Sequence, residues 1–196
     1  QKVDVSFPIP VSDLVAMGTY VSDEALSRKK VNQLVQHALK IVEMEAFADR
    51  TFPSLSGGEQ KRVLLAKCIT QLNCCHWADL PKYLFLDEPT ASLDVQQQYK
   101  LMEMVKQWIR RRHIGVFAVL HDLNLAAQFA DEILLLQAGR LVKKGSPKEV
   151  LTIDTLKQVM GIEALVQPHP IHDCPLITPI GHAAENRRQV NYQTQL

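Results

Sequence analysis

The sequence predicts an α/β fold, a largely parallel sheet alternating with helices and joined to an all-helical unit. Three observations carry this. Tyr83-Leu84-Phe85-Leu86 and Ile114-Gly115-Val116-Phe117-Ala118-Val119-Leu120 are short apolar runs closed by polar residues, the pattern of strands buried on both faces. From Tyr83 onward the pattern runs strand, helix, strand, helix, strand, which implies a parallel sheet with covering helices. Residues 8–72 show a helical period with no strand signal except near their start. The chain of 196 residues is long enough for one domain with a real core.

Taken in order, Phe7-Pro8-Ile9-Pro10-Val11 is held extended by its prolines. Ser12 to Gly18 reads as a short helix, with Ser12 at the N-cap and Gly18 just past its end. Residues 24–46 read as an amphipathic helix whose apolar face is Val31, Leu34, Val35, Ala38, Leu39 and Val42. Next comes Leu55-Ser56-Gly57-Gly58-Glu59-Gln60. Ser56 and Glu59 have capping-box spacing ahead of a run carrying Val63, Leu64, Ala66 and Ile69. Two glycines after the cap leave the first-turn amides unobstructed, at the positive end of the helix dipole, with room for a phosphate. An ordinary glycine-softened helix start is the plainer alternative.

A polar connector from Asn73 to Pro81 leads to the first strand, which ends in Asp87-Glu88-Pro89-Thr90. Carboxylates at the C-terminal end of a strand stand where open α/β sheets bind ligands. One can hold Mg²⁺ through water, and the other can take a proton from an attacking water. Ser92-Leu93-Asp94 follows, then a helix over 95–112 using Leu101, Met104, Val105 and Ile109. The next strand ends in His121-Asp122, and Leu123, Leu125 and Ala126 begin a helix. Ile133 to Leu136 and Arg140 to Val142 read as a hairpin around Ala138-Gly139. Ser146-Pro147 opens one helix, and Asp154 to Met160 forms another closed by Gly161. A last hairpin is expected over 162–180, and residues 181–196 form a polar tail without period.

Composition narrows the function. Lys and Arg number 22 against 21 Asp and Glu, so charge supplies no nucleic-acid footprint. None of the four cysteines forms a C-x-x-C pair, which suits a reducing compartment rather than a zinc site. Cys74-Cys75-His76, and His169 with His172 and Cys174, could be offered as metal ligands. Adjacent ligands without a second pair argue against the first, and an edge strand with a turn accounts for the second. No run of about 18 apolar residues is present, so no transmembrane helix is expected.

The order L-S-G-G-E-Q, apolar-D-E-P, S-L-D and strand-terminal His resembles the ATP-binding cassette (ABC) transporter ATPases, over about residues 1–180. That resemblance implies a P-loop NTPase of RecA-like, ABC type, with a helical subdomain at about 8–72 and a RecA-like part at about 80–165. It implies that two subunits form a homodimer head to tail around ATP and Mg²⁺. Ser56, Gly57 and Gly58 would clasp the γ-phosphate held by the opposite subunit, with Glu59 and Asp94 beside it. Asp87 would hold Mg²⁺, Glu88 would be the general base, and His121 would hold the γ-phosphate. Gln1 would reach both the metal and the water. Glu59 stands where glutamine is common, and its capping position would turn the charge back toward Ser56.

The Phe7-to-Gly18 run and Val166-Gln167-Pro168-His169-Pro170 look most like bacterial haemin importer ATPases. Transmembrane permease subunits and, indirectly, a periplasmic binding protein are then the implied partners, at the cytoplasmic face of the inner membrane, with no nucleic acid. Import of an Fe-siderophore or cobalamin is the near alternative. A DNA-maintenance or translation ATPase, or a non-hydrolysing regulatory domain, is the distant one. None of the eight glycines precedes a lysine, so no G-x-x-x-x-G-K-[S/T] phosphate loop is present, and truncation at the N-terminus is the simplest expectation. The 196-residue chain is therefore expected to release no phosphate from ATP by itself. Steady-state release that Glu88→Gln abolishes would contradict this.

Overall fold

The computed structural model describes residues 8–22, 24–74, 80–110 and 112–182, in two units that meet in sequence at Leu120 and His121. That boundary falls inside the stretch read from sequence as one RecA-like part. In the first unit, α1 (Val11–Ala16) continues into a 3₁₀ segment, Met17–Val21. Then come α2 (Arg28–Ile41), α3 (Gly57–Cys74), β1 (Lys82–Asp87), α4 (Val95–Ile109) and β2 (Ile114–Val119). β1 and β2 pair in parallel, from Lys82 opposite Ile114 to Asp87 opposite Val119.

The core of this unit has α3 at its centre. Val63, Leu65, Ala66 and Ile69 of α3 join Val11, Leu14 and Val15 of α1 and Val35, Ala38 and Leu39 of α2 in one buried cluster. Leu84 of β1 and Leu101, Met104, Val105 and Trp108 of α4 belong to the same cluster. α3 therefore buries residues toward two layers, helices on one side and the strand-helix pair on the other.

Several expectations change. α1 starts at Val11 behind Pro10, not behind a Ser12 cap, because Pro10 is extended and bridges to Thr51. α2 is shorter than 24–46: Ser27 caps it by accepting from the Lys30 amide, and Val42 ends it. Gly18 does not terminate a helix in the left-handed region. Instead the 3₁₀ segment presses on α3, where a Cβ at Gly18 would lie 2.4 Å from the Lys67 carbonyl oxygen and 3.0 Å from the Gln71 nitrogen. β1 is not buried on both faces. Leu84 is buried, while Tyr83 and Phe85 are 52% and 73% exposed, and Phe85 stacks on Phe117 of β2 at 5.2 Å. Gly115 of β2 makes room for the Tyr83 ring, which a Cβ there would meet at 2.7 Å.

The second unit contains α5 (Leu123–Phe129), β3 (Ile133–Gln137), β4 (Arg140–Gly145), α6 (Pro147–Val150), α7 (Ile153–Met160), β5 (Ile162–Pro168) and β6 (Pro175–His182). Both expected hairpins form, β3 with β4 and β5 with β6, and both are antiparallel. Among the described strands β1 and β2 are the parallel pair, and the two hairpins are antiparallel, in keeping with an α/β fold. The β3–β4 turn uses Ala138 and Gly139 at φ 49° and 74°, the left-handed pair that a two-residue hairpin requires. Gly161 ends α7 at φ 66°, as the sequence indicated. The Asn124 amide imitates a neighbouring strand, donating to the Ile177 carbonyl at 2.9 Å and accepting from the Ile177 amide at 2.7 Å.

Gly18→Ala tests the close approach to α3. The added methyl would force the 3₁₀ segment off the helix, and overpacking of this kind costs about 1–3 kcal/mol. A urea denaturation midpoint equal to that of the unsubstituted protein would contradict the contact.

Candidate functional site

α3 begins with a reciprocal cap. The Ser56 amide and the Ser56 hydroxyl both donate to Glu59 Oε2 at 2.7 Å, and the Glu59 amide donates to Ser56 Oγ at 3.4 Å. These bonds hold the Glu59 carboxyl below the usual carboxylate range: the Ser56 hydroxyl first, then the Ser56 amide, with Arg62 and Arg50 adding attraction. The carboxylate is thus directed at its own helix start. The amides of Gly57 and Gly58 belong to the first turn, which has no intrahelical acceptors. A Cβ at Gly57 would meet nothing within 4 Å, so its side of the helix end is open. Gly58 faces Gln97 of α4, whose Oε1 a Cβ would meet at 3.3 Å.

β1 ends at Asp87, and the chain turns at once. Glu88 has φ 46° and Ser92 has φ 63°, two non-glycine residues in the left-handed region within five positions. The Ala91 amide donates to the Glu88 carbonyl at 3.1 Å, and the Leu93 amide to the Thr90 carbonyl at 3.3 Å. Pro89 and Thr90 are buried beneath this turn, whereas Asp87 and Glu88 are exposed. Asp94 then caps α4, its carboxylate accepting from the Gln97 amide at 2.8 Å. Such backbone strain persists only where the surroundings over-determine it, and it concentrates at functional sites.

The helix start and the strand end are joined by two residues that the sequence reading missed. Lys61 Nζ donates to the Glu88 carbonyl at 3.2 Å. Gln97 faces Gly58 with its side chain, and its amide donates to Asp94. Lys61 stands four positions after Gly57, one helical turn, which was the available signal; nothing local pointed to Gln97. Beneath them lies a cavity of about 140 Å³, lined by Leu64, Leu65, Cys68, Leu86, Leu101 and Val105, with Lys61 and Asp87 also in its wall. Burial pushes the Cys68 thiol up, as befits a small apolar filler.

Of the remaining expected residues, His121 opens the second unit, directly before Asp122. Asp122 caps α5 by accepting from the Asn124 and Leu125 amides at 2.8 and 2.9 Å. Gln1 lies outside the described residues, as do Cys75, His76 and the tail from residue 183. No group of three or more His, Cys, Asp or Glu among the described residues could hold a metal. His169 Nδ1 accepts from the amides of Ile171 and His172 at 3.1 and 3.0 Å, so it shapes the β5–β6 turn. No helix of the described residues is long and apolar enough to cross a membrane.

Residues 9–91 match the family model described as ABC transporter. The hemin import ATP-binding protein HmuV of Rhizobium meliloti (strain 1021) is 38% identical over 179 residues, 91% of this chain and 67% of that protein. The protein of the same name from Bordetella pertussis (strain Tohama I) is 41% identical over 170 residues, 87% of this chain and 64% of that one. Among solved structures, an inward-facing metal-chelate type ABC transporter superposes with a TM-score of 0.75 at 26% identity, covering 89% of this chain and 68% of that chain. A dimeric ATP-binding cassette in a post-hydrolysis state, bound to ADP and Pi, gives 0.59 at 26% identity, covering 74% and 60%.

The Glu59 cap has a pH signature. A depressed carboxyl stabilises the folded state above its unfolded pKa of about 4.3 and loses that contribution as pH falls through its lower folded value. Glu59→Ala should therefore be less stable than the unsubstituted protein at neutral pH, with the difference shrinking below about pH 4. Melting temperatures of the two proteins across that range provide the check; a difference that grows toward acid would refute the cap.

Proposed function

The chain belongs to the ABC transporter family, and from that premise we propose that it serves as the ATP-binding subunit of a haemin importer, coupling ATP binding and hydrolysis to uptake through a membrane permease. The observation that carries the cargo is the 38% identity to a hemin import ATP-binding protein across 91% of this chain. Cassettes of this family are ATPases, and this chain spans about two thirds of the relatives it matches.

In this reading two copies face head to tail, as peripheral subunits on the cytoplasmic side of the inner membrane. The open first turn of α3, at Ser56, Gly57 and Gly58, receives the γ-phosphate of ATP held by the opposite subunit. Its amides and helix dipole supply positive potential where phosphate charge lies. Glu59 stays turned to Ser56, which keeps a carboxylate from repelling that phosphate. Glu88 accepts the proton of the attacking water, and His121 steadies the γ-phosphate. Asp94 lies beside the partner's nucleotide, and Gln1 approaches the same water. A cage of protein ligands is absent among the described residues, whereas an exposed carboxylate at a strand end suits Mg²⁺. That ion keeps its waters and takes its other ligands from phosphates. Asp87 would hold it, and the ion would neutralise phosphate charge.

Two substitutions in the ATPase assembled with its permease separate these roles. Glu88→Gln removes the base, typically about 10²–10⁴-fold in rate, yet ATP should still bring two subunits together. Ser56→Arg fills the phosphate side of α3, so no ATP-dependent dimer should appear on size-exclusion chromatography. Both should abolish haemin uptake into proteoliposomes. Equal dimerisation of the two would overturn the clasp, and uptake of cobalamin or an Fe-siderophore instead of haemin would overturn the cargo.

A further inference from the structure

We propose that Lys61 is a positioning residue for Glu88, tying the start of α3 to the strand-end turn through the hydrogen bond from its ammonium to the Glu88 carbonyl. This role rests on the phosphate-clasp and general-base assignments above, and it adds a connection that neither assignment contains.

Three features support the tie. Glu88 has a left-handed backbone, φ 46°, which a non-glycine residue keeps only when other contacts hold it there. Its carbonyl is held from two directions: by the Ala91 amide at 3.1 Å within the turn, and by Lys61 at 3.2 Å from a helix 27 positions earlier. A carbonyl has two lone pairs, so both bonds can form together. The Lys61 side chain also lines the cavity between α3, β1 and α4 beside Leu64, Leu65 and Asp87, so its stem runs along the gap that separates the two elements it joins.

The tie has a consequence in a head-to-tail dimer. The start of α3 would attend the nucleotide of the opposite subunit, while Glu88 of the same chain attends its own. Lys61 stands one helical turn from Gly57, so a phosphate that engages the α3 amides acts on the element that also holds the Glu88 backbone. The lysine thereby links two nucleotide sites within one protomer, through a contact that touches neither nucleotide.

The test uses the ATPase that carries these residues together with a phosphate loop. Lys61→Met keeps the apolar stem and removes the donor; Lys61→Arg keeps a cationic donor. Lys61→Met should lower kcat about tenfold, the scale of one charge-assisted hydrogen bond. KM for ATP should stay within about twofold, and the ATP-dependent dimer should persist. Lys61→Arg should recover most of the rate, and Lys61→Gln, with a shorter neutral donor, should fall between. Unchanged kcat in Lys61→Met overturns the proposal, as does a raised KM with loss of the dimer, which would place the lysine on the nucleotide. Failure of Arg to restore the rate also overturns it. Glu88→Gln measured alongside keeps the failures apart. If that variant hydrolyses ATP normally, the base assignment falls. If it is inactive while Lys61→Met is normal, only the positioning role falls.

Discussion

The first unit depends on the burial of α3 from two sides. Val63, Leu65, Ala66 and Ile69 leave water only because α1, α2 and the 3₁₀ segment close one flank while β1 and α4 close the other. A helix so enclosed cannot move its N-terminus independently of its neighbours, since packed interiors transmit displacement rather than absorb it. Gly18 shows how tight the enclosure is. The segment carrying it approaches so near the α3 backbone that a single methyl would collide with the Lys67 carbonyl. The Ser56–Glu59 cap then finishes the one end of α3 that the packing leaves exposed.

Strain at the end of β1 is the counterpart of that rigidity. Glu88 and Ser92 both occupy the left-handed region, where side chains are disfavoured, at the point where the chain leaves a parallel strand and must enter α4. Short-range bonds from Ala91 and Leu93 hold the turn, with the buried Thr90 beneath, and Lys61 of α3 reaches the Glu88 carbonyl from 27 positions earlier. Asp94 ends the turn by capping α4, and the amide it captures belongs to Gln97, the residue whose side chain meets Gly58. One carboxylate therefore caps the helix whose first turn carries the side chain facing Gly58.

The second unit uses side chains in place of missing backbone partners. Asp122 satisfies two amides at the start of α5, and Asn124, two residues later, pairs with Ile177 of β6 as a strand would. Buried backbone groups must be paired, so this amide lets a helix dock on a sheet edge without leaving an orphaned N–H. His169 likewise shapes its own turn by accepting two amides.

The sequence alone determined what is local. The capping box at Ser56 and Glu59, the positive-φ glycines at 139 and 161, the two hairpins and the apolar faces of α2 and α4 follow from spacing within a few residues. Hydrogen-bond reach and helical or strand period act at that range. Motif order also placed the chain in its family. Tertiary structure decided what depends on residues far apart in sequence. Gly18 looked like a helix end and proved to be a contact point, because only packing shows what lies 2.4 Å away. The β1–β2 pair read as buried on both faces, since apolarity reports an affinity for burial but not which surface is covered. Gln97 was invisible as a site residue for the same reason, and the helical period put Lys61 near Gly57 without showing that its partner is Glu88: each acts through a group that folding brings to it.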